Sequence, residues 1–497
     1  MQYAADPLPQ NLAELAAEYA GEYAAERANQ LQKPSLEEYQ KLSKDLCKVC
    51  PDNMTQDYID DTPSLVLYKL IGSFKDCEVI YTTIDKQRFG CTLSEFKSMN
   101  EASFRSSVAE LQINILVPAS PEGYPGSGGL VLSDGPQYTN LWKISGENVR
   151  SLGAKAFADI VPNLTVFNFP NVEDMGESIV AGSKVQILNF PKLQRISELT
   201  EWDGIKYSGS LYYTYYLKEF HAPQLVLDTA QFDHQKPGAT NPYGNGTIKS
   251  PGLYRVTLKS FVDGDDAYGK GNYIFNDQSN LVEVNLTEGC PKTLGICAFD
   301  GCVSLRKANL SNARRLKNAA LRGTRSLEQK ELWNIMEIQD LALRNSAITT
   351  LQLVNDPNGA TIEIDGNYIR QITHSQWALF GSNIKYLIID GFFKDGFRDY
   401  DSGDSPPLPN ATNFSGMRRL ETIEISGRIS DEGAQRDGFI THDGTKTKNI
   451  EVVIVGEYAK DEDDGDYDPD TNKWRGGIWK DVKYIGHPIH SDKEGYA

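Results

Sequence analysis

Apolar residues recur along this chain in one spacing: a first position, a second three residues later and a third five residues later. The copies are Leu164/Phe167/Phe169, Val185/Leu188/Phe190, Leu217/Phe220/Ala222, Leu253/Val256/Leu258, Leu281/Val284/Leu286 and Leu305/Ala308/Leu310. Further copies are Ile348/Leu351/Leu353, Ile384/Leu387/Ile389, Leu420/Ile423/Ile425 and Ile450/Val453/Val455. Where nothing intervenes the period is short: 21 residues from Leu164 to Val185 and 24 from Leu281 to Leu305. Side chains alternate in a strand, so the second and third apolar positions share a face and the residue between them faces the other way. Each copy therefore predicts a short strand that buries its apolar residues. A unit of this size cannot bury its apolar face alone. Successive copies must stack, with their strands in a parallel ladder.

One copy shows the rest of the repeat: Leu294-Gly-Ile296-Cys297-Ala298-Phe299-Asp-Gly-Cys302-Val-Ser-Leu305. Period and spacing together are those of a leucine-rich repeat. The pattern resembles the BspA-type (surface-antigen) class of that repeat. Ile296, Ala298, Phe299, Cys302 and Leu305 carry the resemblance, and Gly153, Ala156, Phe157 and Leu164 carry it more loosely. Phe169-Pro170, Phe190-Pro191 and Ala222-Pro223 supply the apolar–proline end of the unit. Lys330 departs from it by standing where an apolar residue belongs, and the spacing is irregular beyond residue 350. The resemblance implies an α/β fold, an irregular right-handed leucine-rich-repeat solenoid with a parallel strand ladder. It also implies adhesion or protein recognition, as in proteins of bacterial and protist surfaces and some phages.

The organisation expected from these signals is threefold. Residues 1–104 read as a mainly helical N-terminal cap or docking domain. Leu12, Leu15, Tyr19 and Tyr23 have helical spacing, Ser35–Glu38 has a capping-box pattern, and residues 93–110 read as helix, with strand-like stretches between 62 and 92. Residues 105–455 read as the repeat region, with loop-like insertions near 226–250, 355–380 and 391–415. Residues 456–497 read as an acidic C-terminal cap or tail.

Charge changes the functional picture. Acidic residues outnumber Lys and Arg 68 to 50, leaving a formal net charge of −18. Nucleic acid and anionic membranes require a basic footprint, so neither is an expected partner. No stretch reaches the roughly 20 apolar residues of a membrane span. Met1-Gln-Tyr-Ala-Ala-Asp lacks the basic and apolar segments of a secretory leader, which leaves synthesis without secretion open. The seven cysteines are too sparse for a disulfide scaffold. Cys47 and Cys50 have a metal or redox spacing without a second ligand pair, and Cys297 and Cys302 fall where the repeat needs small packed residues.

No nucleophile elbow, metalloprotease helix, phosphate loop or dinucleotide fingerprint is present, so no enzyme activity, cofactor or metal is expected. The acidic run from Asp461 to Asp470 misses the EF-hand register, and His487 and His490 lie on a proline-containing tail. Asn168, Asn189, His221, Thr257, Asn285, Asn309, Glu331 and Gln352 should form a polar stripe on the outer face of the strands. The chemistry best suited to a partner is the aromatic group Trp202, Tyr207, Tyr212, Tyr213, Tyr215 and Tyr216 with His221. Tyrosines offer amphipathic area at low entropic cost and are enriched at interfaces. Read as strand residues, about half would face outward, beside the 226–250 insertion. The function expected is non-catalytic recognition of a macromolecule or service as a structural part of an assembly. The setting is an exposed virion component, a phage capsid or tail protein. The alternatives are a bacterial cell-surface adhesin for host protein or glycan, and an intracellular protein-binding scaffold.

Overall fold

The computed structural model describes residues 35, 37, 77–197, 200–202, 205–232, 236–237, 250–265, 269–364, 367–370, 372–375, 378–391 and 419–425, together with six strand segments between 450 and 490. The chain forms two compact units, residues 1–224 with 239–250, and 225–238 with 251–497.

In the first unit, Val79–Thr83 pairs antiparallel with Arg88–Cys91 and with Val108–Ile113. The helices Leu93–Ser98 and Ala102–Ser107 stand between these strands. A capping box of Thr92 and Glu95 opens the first of them, and it buries Phe96. The expectation of a mainly helical N-terminal region is not supported by the part described from residue 77 to 107, which holds two strands and two six-residue helices. The helical reading of 93–110 holds through Ser107 apart from a short break, and ends there because Val108, Leu111 and Ile113 already carry the apolar spacing of the repeat. All three are buried. Apart from Ser35 and Glu37, the segment before residue 77, including Cys47 and Cys50, lies outside the described residues.

From Val108–Ile113 the pairing turns parallel, through Lys143–Ser145, Val166–Asn168 and Ile187–Asn189 to Glu219–Leu227. The strand at 143–145 belongs to a copy without the full apolar triplet, Leu141/Ile144/Gly146. A Cβ at Gly146 would lie 2.6 Å from the Phe169 ring, so the ring of the next copy occupies that space. In the second unit Arg255–Phe261, Glu283–Leu286 and Lys307–Ala308 pair in parallel. So do Glu331–Ile335, Thr350–Val354, Tyr386–Asp390, Thr422–Ile425, Ile450–Ile454 and Trp479–Tyr484. The triplets from Leu164 to Ile389 are buried at all three positions, as are Leu420 and Ile423. The side chains of Ile425, Ile450, Val453 and Val455 lie outside the described residues.

In each unit a separate second parallel ladder closes the back of its repeats. It consists of Ser151–Leu152, Asp174–Met175 and Arg195–Ile196 in the first unit. In the second it consists of Thr293–Leu294, Arg315–Leu316, Glu337–Ile338 and Thr373–His374. The turns between the two ladders hold non-glycine residues with left-handed backbone: Lys155, Ser178, Tyr273, Cys297, Ala319 and Leu341 have φ of 52–57°. This region costs an L-residue energy, and it persists where neighbours over-determine it. Here adjacent copies bond turn to turn, with Phe275 N–H donating to Ala298 O, Phe299 to Ala320 and Leu321 to Ala342, each at 2.9 Å. Cys302 is buried in such a turn, its thiol 3.0 Å from Phe275 O, in keeping with a packing role. Cys297 is only half-buried.

Lys330 marks a break. Its ammonium cannot enter the core, and the side chain turns back to the Leu327 carbonyl. Leu332 then takes the inward position opposite Leu351, through a bulge between Leu332 and Ile335. The front sheet is interrupted here, since Lys307–Ala308 and Glu331–Ile335 belong to different sheets. The back ladder passes the same point in register, Leu294 to Leu316 to Ile338.

Of the insertions, 355–380 builds an antiparallel hairpin, Thr361–Ile364 with Asn367–Arg370. That near 226–250 begins as the end of the long strand Glu219–Leu227. Most of it, and 392–418, lies outside the described residues.

On the back ladder, Arg315 reaches Glu337 at 2.9 Å and forms a bidentate pair with Asp356, while Lys317 meets Glu337 at 2.8 Å. Burial would raise the Asp356 pKa. Donation from Arg315, the Asn358 N–H and Thr373 outweighs it and holds the carboxyl below its ordinary range. A depressed folded-state pKa gives stability that is present above the unfolded pKa and lost as pH falls through the folded one. Asp356→Asn is therefore expected to lower stability at neutral pH and to flatten its decline below about pH 4. Denaturation at a series of pH values checks this; an unchanged acid limb would contradict it.

Candidate partner-binding face

Parallel pairing fixes what the front sheet of the first unit displays. Register aligns Gln112, Ser145, Asn168, Asn189 and His221 in one row across five strands. A second row, two residues earlier, holds Glu110, Lys143, Val166, Ile187 and Glu219. Asn168, Asn189 and His221 are exposed. In the second unit Thr257, Asn285 and Asn309 hold the same repeat position; beyond the break the expected alignment of Glu331 with Gln352 is corrected, because Glu331 pairs with Thr350 and Gln352 is only half-exposed. Thr257 corrects the expected stripe, because it is buried at 7% exposure. Asn309 is exposed but is also used locally, accepting from the Ser311 N–H and hydroxyl.

Sequence reasoning missed the apolar members of this face. Val166 and Ile187 are exposed on adjacent strands, and Trp142 is exposed beside them in sequence register, with the Lys143 ammonium 5.7 Å from its ring. The available signal was their position. Val166 and Ile187 each stand next to a buried strand residue, where alternation points an apolar side chain into solvent.

The tyrosines occupy a turn, where strand alternation was expected. Residues 209–217 connect the hairpin Thr200–Trp202/Ile205–Ser208 to the strand Glu219–Leu227. Tyr215 is core, 2% exposed, and burial pushes its phenol well above the ordinary range. Tyr212, Tyr213 and Tyr216 are half-buried, and the rings of Tyr212 and Tyr213 lie 3.9 Å apart. Tyr213 has φ 56°, four residues before the first apolar position, where Gly301 and Gly323 stand in other copies. An aromatic residue in a position suited to glycine is strained. His221 projects from the following strand, opposite Asn189. Trp202 and Tyr207 belong to the hairpin, and their side chains lie outside the described residues. The turn thus brings Tyr212, Tyr213, Tyr215 and Tyr216 together and places His221 on a different element.

No group of three or more His, Cys, Asp or Glu able to hold a metal occurs among the described residues. No described helix is long and apolar enough to cross a membrane.

Among the described residues, parallel strands in register, buried triplets and few helices fit a leucine-rich-repeat-like α/β fold. Residues 247–363 match the BspA-type leucine-rich repeat region in six copies, so the chain contains a repeat region of this type. No curated protein matches the sequence significantly. Among solved structures, a leucine-rich repeat protein from Bacteroides ovatus is similar at 13% identity. The match covers 78% of this chain and 86% of that one, with a TM-score of 0.26. A leucine-rich cell surface protein from Faecalibacterium prausnitzii is similar at 13% identity over 76% of this chain and 90% of that one, with a TM-score of 0.22.

Proposed function

We propose that this chain is a non-catalytic recognition protein that contacts a macromolecular partner through the front sheet of its repeats, wound as a right-handed solenoid. The observation that carries this reading is the registered row Asn168, Asn189 and His221, exposed beside Val166 and Ile187. These amide groups make no side-chain hydrogen bond among the described residues. Polar groups held on a rigid sheet next to exposed apolar side chains suit specific contact with a protein surface. Tyr212, Tyr213 and Tyr216 form the adjoining aromatic part of the proposed contact, with Trp202 and Tyr207 of the hairpin. Tyr215 supports them from the core. The setting we propose is an exposed surface, of a virion or of a cell. Labelling intact particles or cells with antibody to this chain tests that setting.

Two variants test the face. Asn168→Ala/Asn189→Ala/His221→Ala and Tyr212→Ser/Tyr216→Ser are expected to reduce binding to cell-envelope proteins while the thermal midpoint barely moves. Tyr215→Ser is expected to destabilise instead. Undiminished binding by both multiple variants would overturn the reading.

A further inference from the structure

The break at Lys330 does more than interrupt a sheet. Trp333 and Asn334 together stand opposite Gln352, because the pairing passes from Leu332–Leu351 directly to Ile335–Leu353. Bulges re-aim side chains and recur beside functional sites. Here the bulge leaves a tryptophan 43% exposed and Asn334 at φ 58°. The polar groups around the ring are fixed. Trp333 Nε1 donates to Glu331 Oε2 at 3.1 Å. Gln352 Oε1 accepts from the Asn334 N–H at 3.2 Å, and its Nε2 donates to Asp390 Oδ2 at 3.2 Å. Glu331, Asn334 and Asp390 are exposed.

We propose that Trp333, with Glu331, Asn334, Gln352 and Asp390, forms a binding site for a neutral carbohydrate. A sugar ring presents a flat C–H face for an indole and a rim of hydroxyls for planar carboxylate and amide groups. Trp333 supplies the first and its four neighbours the second. An apolar peptide is a poorer fit, because no large apolar side chain of the paired strand Thr350–Val354 is exposed. A cationic side chain would gain the ring and two carboxylates. However, Glu331 already accepts from the Trp333 indole and Asp390 from the Gln352 amide, so both carboxylates are partly engaged within the group. This site is separate in sequence from the tyrosine turn and from the Asn168–His221 row, so the two proposals stand or fall independently.

The test uses the full chain and neutral hexose and N-acetylhexosamine oligosaccharides, with binding read by calorimetry and by ligand-observed NMR. The wild-type chain is expected to bind at least one oligosaccharide, and Trp333→Ala to weaken that binding by at least about tenfold. Trp333→Phe should retain part of it, and Glu331→Gln should fall between. Tyr212→Ser/Tyr216→Ser should leave it unchanged. The thermal midpoint of Trp333→Ala checks its fold; should it drop, Glu331→Gln and Trp333→Phe carry the test. Absence of sugar binding, or sugar binding undiminished in the three site variants, would overturn the proposal. So would binding of a lysine-rich peptide in place of sugars that is lost in Trp333→Ala.

Discussion

Leu305→Ala is expected to unfold the second unit at clearly lower denaturant than the parent chain, while Asn285→Ala leaves its transition almost in place. Leu305 is the first apolar position of its copy and is fully buried, in a turn-and-strand unit packed on copies before and after it. Truncating a buried leucine removes its transfer free energy and leaves a cavity, together about 2–5 kcal/mol. Asn285 lies on the exposed side of the adjacent strand, in register with Thr257, where substitutions usually stay within about 0.5 kcal/mol. Asn285 is a cleaner control than Asn309, whose carboxamide holds Ser311. Chemical denaturation of both variants checks the result, and equal shifts in midpoint would refute the assignment of faces.

The second large effect is expected from Glu337→Ala. Glu337 accepts from Arg315 and Lys317 on neighbouring strand residues and is itself buried. Removing it leaves the Lys317 ammonium buried at 6% residue exposure without that counter-charge. Breaking a buried ion pair from one side costs about 3–5 kcal/mol, most of it the penalty of the stranded partner. Glu337→Gln keeps the volume and an acceptor oxygen and should cost less. A midpoint for Glu337→Ala within error of the parent would show that the network is solvated.

The front strands were legible because one rule governs them. A triplet such as Leu281/Val284/Leu286 announces its own strand and its buried face. Two copies escaped. Leu141/Ile144/Gly146 lacks a third side chain, since Phe169 supplies it from the next copy, and Val108/Leu111/Ile113 was masked by helix-like residues before it. The back ladder left little trace, being two residues long in each copy and carrying charge, as at Arg315–Leu316 and Glu337–Ile338. At the candidate face the row of amides was readable from strand alternation. The tyrosines misled because their strand propensity says nothing about a turn built by bonds to adjacent copies. Trp333 was invisible for a related reason. Lys330 could be seen to break the pattern, but the two-residue shift that exposes the indole depends on Leu332 finding the core.

The interrupted front sheet and uninterrupted back ladder at Lys330 also bear on how strain spreads through the second unit. Repeat proteins hold together by coupling between nearest neighbours. Between the copies of Leu305 and Leu327 that coupling loses its front ladder and rests on the back strands, the turn bonds and the packed side chains. This junction is consequently where an opening on one side can stop before reaching the other. A disturbance among the copies before it need not disturb the hairpin-bearing copies after it.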